Sequence, residues 1–125
     1  MLEIDHGQKL MDDLWLATAA KVDLPESLKT ELCGAQGLTP VFHDNRRSYH
    51  RYYMRGKAVL KRGPAMLGVF TKDLSRQGVA FLSPLALLPK ERVTLRVPVR
   101  ELSLEVTRCR RLSQNCFECG ARFVL

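Results

Sequence analysis

The chain has no stretch approaching the roughly 20 consecutive apolar residues that cross a bilayer. Its run from Leu14 to Ala20 is far too short, so no membrane insertion is expected. The opening residues Met1 to Asp5 carry acid where a secretory leader would carry base, which points to the cytoplasm. Only four cysteines occur, Cys33, Cys109, Cys116 and Cys119. A chain of 125 residues can build a core without bridges, and a reducing compartment does not keep them, so free thiols are expected. The three histidines, His6, His43 and His50, are scattered, and no Ser-His-Asp set or carboxylate pair accompanies them. An enzyme is therefore not expected, and no residue is assigned a catalytic role. Internal repeats and low-complexity tracts are absent as well.

What remains is an ordinary globular composition, 46% hydrophobic and 26% charged, enough for one domain and an appendage. Its charge is uneven. Residues 1–40 sum to −4 and residues 41–125 to +11, so the second segment calls for an anionic partner: a nucleic acid, a phosphate-bearing small molecule or an acidic protein surface.

Hydrophobic spacing divides the chain in the same place. Leu10, Met11, Leu14, Trp15 and Leu16 recur every three to four residues, which predicts an amphipathic helix over 8–21. Asp23 and Glu26 form a capping box before Leu24, Leu28 and Leu32, with Gly34 as terminator, which predicts a short helix over 24–33. Residues 34–44, with Gly37 and Pro40, read as a linker. Beyond it the period becomes two. Tyr52 to Lys61, Arg92 to Val97, Leu102 to Thr107 and Phe117 to Leu125 alternate apolar or small residues with polar ones. Less regular runs at 66–73 and 78–82 bring the total to about six strands. Half-buried strands in that number close on one another to remove their edges. The expected fold is mainly β, a six-stranded antiparallel barrel over 41–125 with an N-terminal helical extension over 1–40. Those helices either cap the barrel or present Leu10, Leu14 and Trp15 to a partner or a second copy of the chain; the sequence leaves both open.

Two short segments carry the chemistry. Asp44-Asn45-Arg46-Arg47-Ser48-Tyr49-His50-Arg51 puts Arg46, Arg47 and Arg51 where the linker enters the first strand. Guanidinium groups offer a plane for stacking on a purine and a fork of donors for phosphate oxygens or for the O6/N7 edge of guanine. Asp73-Leu74-Ser75-Arg76-Gln77-Gly78 lies between two apolar runs. As a plain turn, its Asp and Ser bond local amides and its Gly takes positive φ. As a binding element, Asp73 accepts from the N1 and N2 donors of guanine, Ser75 binds a phosphate or base edge, and Gly78 permits close approach.

Taken together, RxxxR at Arg47 to Arg51 and DxSxxG at Asp73 to Gly78 resemble the PilZ domain family, whose hallmark is this pair of motifs on a six-stranded barrel. The resemblance covers about residues 42–125. It implies a receptor for cyclic di-GMP in which Arg47 and Arg51 grip the guanines and phosphates while Asp73, Ser75 and Gly78 complete the pocket. Arg46 in front of the motif implies a stacked, intercalated ligand dimer, whose four phosphate charges suit a third guanidinium. Arginines without a counter-charge repel one another, so ligand binding is expected to order the segment around residues 44–51 and to pass the signal on through contact with a downstream protein.

Two alternatives remain. Tyr49, Tyr52 and Tyr53 among arginines suit single-stranded nucleic acid on a small barrel, although that reading gives Asp73 no work. A PilZ-fold adaptor that binds only protein is the other. Cys116 and Cys119 have the spacing of zinc ligands, but residues three apart on a strand point to opposite faces, so no metal site is expected.

Overall fold

The computed structural model describes residues 2–26, 28, 37–41, 51–98 and 100–124, with the side chains of 2–8, 37–41 and 51–55 outside that description. Helix α1 spans Leu2–Leu16 and is followed by strands β1 (Ala20–Lys21), β2 (Gly37–Val41), β3 (Arg51–Arg62), β4 (Ala65–Ser75), β5 (Gly78–Ser83), β6 (Arg92–Val97), β7 (Arg100–Ser113) and β8 (Cys116–Phe123). Six of these close a barrel in the order β3-β4-β5-β8-β7-β6, with β6 returning to β3, and every pair is antiparallel. The mainly β barrel with an N-terminal helix is therefore the fold. Its interior is filled by Leu60, Leu67, Val69, Val79, Phe81, Leu95, Leu104 and Val106 among others. The alternation in β6 is reproduced: Val93, Leu95 and Val97 are buried while Arg92 is exposed. The β3–β4 hairpin turns on Gly63-Pro64, with Gly63 at φ 57°, the left-handed backbone that two-residue hairpins favour at their first central position.

Two expectations need correction. The helix over 8–21 ends at Leu16, where Thr18 Oγ1 donates to Trp15 O at 2.7 Å, and Ala20–Lys21 is extended. The cause is an open edge. β4 pairs with β5 only from Phe70 onward, leaving the backbone at 66–68 without a neighbour on that side, and Ala19 and Val22 donate to Met66 O and Gly68 O. Buried backbone groups need such partners, and here they outweigh helix propagation.

The linker expected over 34–44 contains strand β2, paired with Arg51 to Arg55 on the edge of β3 that β6, confined to 59–61, does not reach. Pro40 is tolerated because β2 lies at the end of the sheet. The helix over 24–33 lies mostly outside the described residues; of its described members Glu26 and Leu28 are helical, while Leu24 and Pro25 are not.

The extension caps the barrel from outside. Met11 is 1% exposed, and Trp15, Val22, Leu24 and Leu28 pack with Phe70, Leu82, Cys116 and Leu112 in a second apolar cluster. Trp15 Nε1 donates to Val69 O at 2.9 Å, and Lys57 Nζ stands 5.0 Å from its ring centre, a cation–π contact. Leu10 and Leu16 remain exposed.

Candidate functional site

An unbroken period of two along β4 would send Asp73 and Ser75 into the barrel. Leu67 and Val69 face the core, yet so does Leu74, an odd number of residues later. The phase changes at Lys72, opposite which β3 carries an extra residue between Tyr53 and Gly56 and β5 carries none between Phe81 and Ala80. A bulge of this kind re-aims the side chains that follow it, and Asp73 and Ser75 are turned outward.

The same device operates three strands away. On β7, Leu102, Leu104 and Val106 face the core and then Cys109 does. The shift lies between Val106 and Arg108, and the bulge is tied down by Thr107 Oγ1 donating to Gly120 O at 3.0 Å. Arg108 is thereby placed on the outer surface.

The two bulges meet in one cross-strand row. Tyr53 pairs with Asp73, Asp73 with Ala80, Ala80 with Gly120, and Gly120 with Arg108. Adjacent strands lie about 4.8 Å apart, so roughly 14 Å of barrel surface separates the backbones of Asp73 and Arg108. Between them the floor is Ala80 and Gly120, which carry almost no side chain. A Cβ on Gly120 would lie 2.8 Å from Arg108 Nε and 3.1 Å from its Cγ, so the Arg108 side chain reaches back over the floor. The result is a trough with a carboxylate on one wall and a guanidinium on the other.

Neighbouring rows are electrostatically spent. Glu118 takes Lys72 at 2.5 Å and Arg110 at 2.9 Å. Glu105 takes Arg122 at 2.8 Å and Arg92 at 3.2 Å. Among the described residues, no donor reaches Asp73 and no acid reaches Arg108. Burial alone would raise the Glu118 carboxyl, but the hydrogen bonds and charges of Lys72 and Arg110 outweigh it and hold the group below its ordinary range. A carboxyl lowered on folding stabilises the protein above its unfolded pKa, and that contribution is lost as pH falls through the folded value. Urea unfolding at pH 7 and at about pH 3.5 should therefore show a larger acid loss in the wild type than in Glu118→Gln; equal losses would contradict the assignment.

An open concavity of about 200 Å³ follows the trough, lined by Asp73, Ser75, Gly78, Ala80, Arg108 and Gly120 among others. Ser75 behaves as the turn reading expects: its Oγ accepts from Gln77 N and Gly78 N at 3.2 and 3.3 Å. Asp73 does not, having no local amide partner among the described residues. Gly78 departs from the turn reading. It is not among the positive-φ residues, and the space it leaves is filled by β8 backbone: a Cβ there would overlap Ala121 O and come within 2.9 Å of Ala121 C and Arg122 Cα.

Arg51, of which the backbone is described, pairs with Ser75, and Tyr52 with Leu74. The strand entry therefore runs alongside the bend. Arg46 and Arg47 lie outside the described residues, as do His43, His50, Cys33 and Tyr49. Arg108, Ala80 and Gly120 were not singled out from the sequence. The cysteines match expectation in facing opposite ways, Cys119 into the barrel and Cys116 into the outer cluster. Among the described residues no three His, Cys, Asp or Glu gather as a metal site, and no helix is long and apolar enough to cross a membrane.

The PilZ domain family model matches residues 45–125, more than half of the chain. No curated protein gives a significant match. The matched segment holds both motifs and every strand of the closed barrel, and the chain belongs to the PilZ domain family, a family of cyclic di-GMP receptor domains and not of catalysts.

Proposed function

We propose that this chain binds cyclic di-GMP at the trough and signals by changing the surface it offers to a protein partner. The observation that carries the reading is the register between Arg51 and Ser75, which sets the strand entry beside an unpartnered carboxylate. A phosphate site needs cations; the N1 and N2 donors of guanine need an acceptor. Asp73 supplies the acceptor, while Arg46, Arg47 and Arg51 supply forks for phosphate oxygens and base edges. Ser75 holds the bend and offers a hydroxyl, and Gly78 keeps β5 against β8 beneath it. Arg108 closes the far wall.

At about 200 Å³ the trough is smaller than the roughly 300–1,000 Å³ typical of pockets that enclose a drug-sized ligand. It accepts a base or a phosphate, and the rest of the ligand lies against residues 45–51. Three neighbouring guanidinium groups repel one another until phosphates neutralise them, so binding draws that segment over the trough. In this reading residues 41–125 bind the ligand, and the N-terminal extension, whose Trp15, Val22, Leu24 and Leu28 pack on Phe70 and Leu82, forms part of the surface that relays it. Ligand binding needs no catalytic group and no metal.

Titration calorimetry with cyclic di-GMP tests the reading. Wild type should bind at micromolar or lower concentration, and Arg108→Ala should weaken binding about tenfold, the worth of one exposed charge-assisted contact. In the same experiment, wild type should take up two ligands per chain and Arg46→Ala one, since Arg46 serves the stacked pair. An unchanged ratio would remove the pair alone. No uptake of cyclic di-GMP, with steeply salt-dependent uptake of a single-stranded oligonucleotide instead, would overturn the proposal.

A further inference from the structure

Cys109 and Cys119 are directly opposed on β7 and β8, with their Sγ atoms 3.4 Å apart and both thiols free. Opposed residues of an antiparallel pair have Cα atoms about 4.5–5.5 Å apart, inside the roughly 4.4–6.8 Å that a disulfide spans. A bond between them therefore needs no strand to move.

Their surroundings differ. Cys119 is fully buried and donates its thiol hydrogen to Cys109 Sγ; burial first, then that hydrogen bond and nearby acids, hold it protonated far above the ordinary thiol range. Cys109 is half-buried and accepts a second hydrogen bond, from Leu87 N at 3.4 Å. It lines an open concavity of about 400 Å³ with Arg108, Arg110 and Glu118. Partial exposure is what lets a cysteine meet a peroxide, and a second thiol in contact with it is what resolves the sulfenic acid to a disulfide. Cys116, buried in the outer cluster, has no sulfur opposite it among the described residues.

We infer that Cys109 and Cys119 are a peroxide-oxidised dithiol, whose disulfide clamps β7 to β8 beside Arg108 and Gly120. Cys109 sulfur attacks one peroxide oxygen, the O–O bond breaks, and the sulfenic acid forms with release of water. Cys119 then attacks that sulfur, the S–S bond forms, the S–O bond breaks, and the Cys119 proton leaves with the hydroxyl as a second water. Two thiols lose two electrons and one peroxide gains them. The step is independent of what the trough binds.

The full chain, treated with near-equimolar hydrogen peroxide, should lose the mass of two hydrogens. Differential alkylation should show Cys109 and Cys119 protected together, Cys116 still reactive after denaturation, and dithiothreitol restoring both. Cys119→Ala should instead gain one oxygen, trapped by dimedone at Cys109. In the oxidised wild type, amide exchange at 107–109 should slow about tenfold, because opening of the bulge is restrained. Wild type that stops at a sulfenic or sulfinic acid on Cys109, oxidises first at Cys116, or cross-links between chains would overturn the inference. The wild-type mapping decides the matter even where the alanine variant does not fold.

Discussion

Gly78→Ala is expected to lower the unfolding free energy by about 3 kcal/mol, toward the upper end of what one added methyl costs in a packed site. The methyl would overlap Ala121 O and press on Ala121 C and Arg122 Cα, all of them backbone, which cannot turn aside as a side chain would. β5 must then part from β8, and the Gly78–Arg122 end of their register opens. For a chain of this size the midpoint of thermal unfolding should fall by roughly 10 °C, measured by circular dichroism. A variant melting within about a degree of wild type would show that the strands have room there. Lost binding in Gly78→Ala would then report the sheet as well as any contact with the nucleotide.

Asp73→Ala should behave in the opposite way. Its carboxylate has no partner among the described residues, so the fold should change by less than about 0.5 kcal/mol. Binding of cyclic di-GMP should weaken by about 2–3 kcal/mol, roughly thirty- to 150-fold, because two guanine donors lose a charged acceptor. The sign separates the two ligand classes. In a groove that holds only phosphates a carboxylate repels the ligand, and removing it would tighten binding; where it reads a base, removal weakens binding. Isothermal titration of wild type and variant with cyclic di-GMP and with a single-stranded oligonucleotide gives both signs directly. A variant that binds cyclic di-GMP as well as wild type would remove Asp73 from the site.

The barrel was legible because period-two burial is written in residue types: Val93, Leu95 and Val97, or Phe117, Cys119, Ala121 and Phe123, can face one core only if the chain is extended. The motifs were legible for the same reason, since RxxxR and DxSxxG set unusual residues at fixed offsets. The trough was not. It depends on two bulges, and a bulge appears in sequence only as a break of phase, such as the step from Val106 to Cys109. An unbroken alternation from Val106 would turn Arg108 into the barrel; the break of phase at Thr107 puts it in the outer row.

Strands β1 and β2 were missed because their cause is not local. Ala20 and Gly37 become extended to satisfy edges of β4 and β3 left open by the lengths of β5 and β6, which no window around residue 20 or 37 contains. The glycine of DxSxxG reads in sequence as a positive-φ turn residue, whereas the structure constrains it through Ala121 and Arg122 on a strand distant in sequence.

In the proposed complex the strand entry, the bend after Asp73 and the Arg108–Gly120 pair meet on one guanine nucleotide. An amide-resolved NMR titration of the full chain with cyclic di-GMP tests it most directly. Saturable shifts should concentrate at Arg51 to Tyr53, Asp73 to Gly78, Arg108 and Gly120. Shifts confined to the opposite concavity around Lys61, Gly63 and Arg92, or none at all, would contradict it.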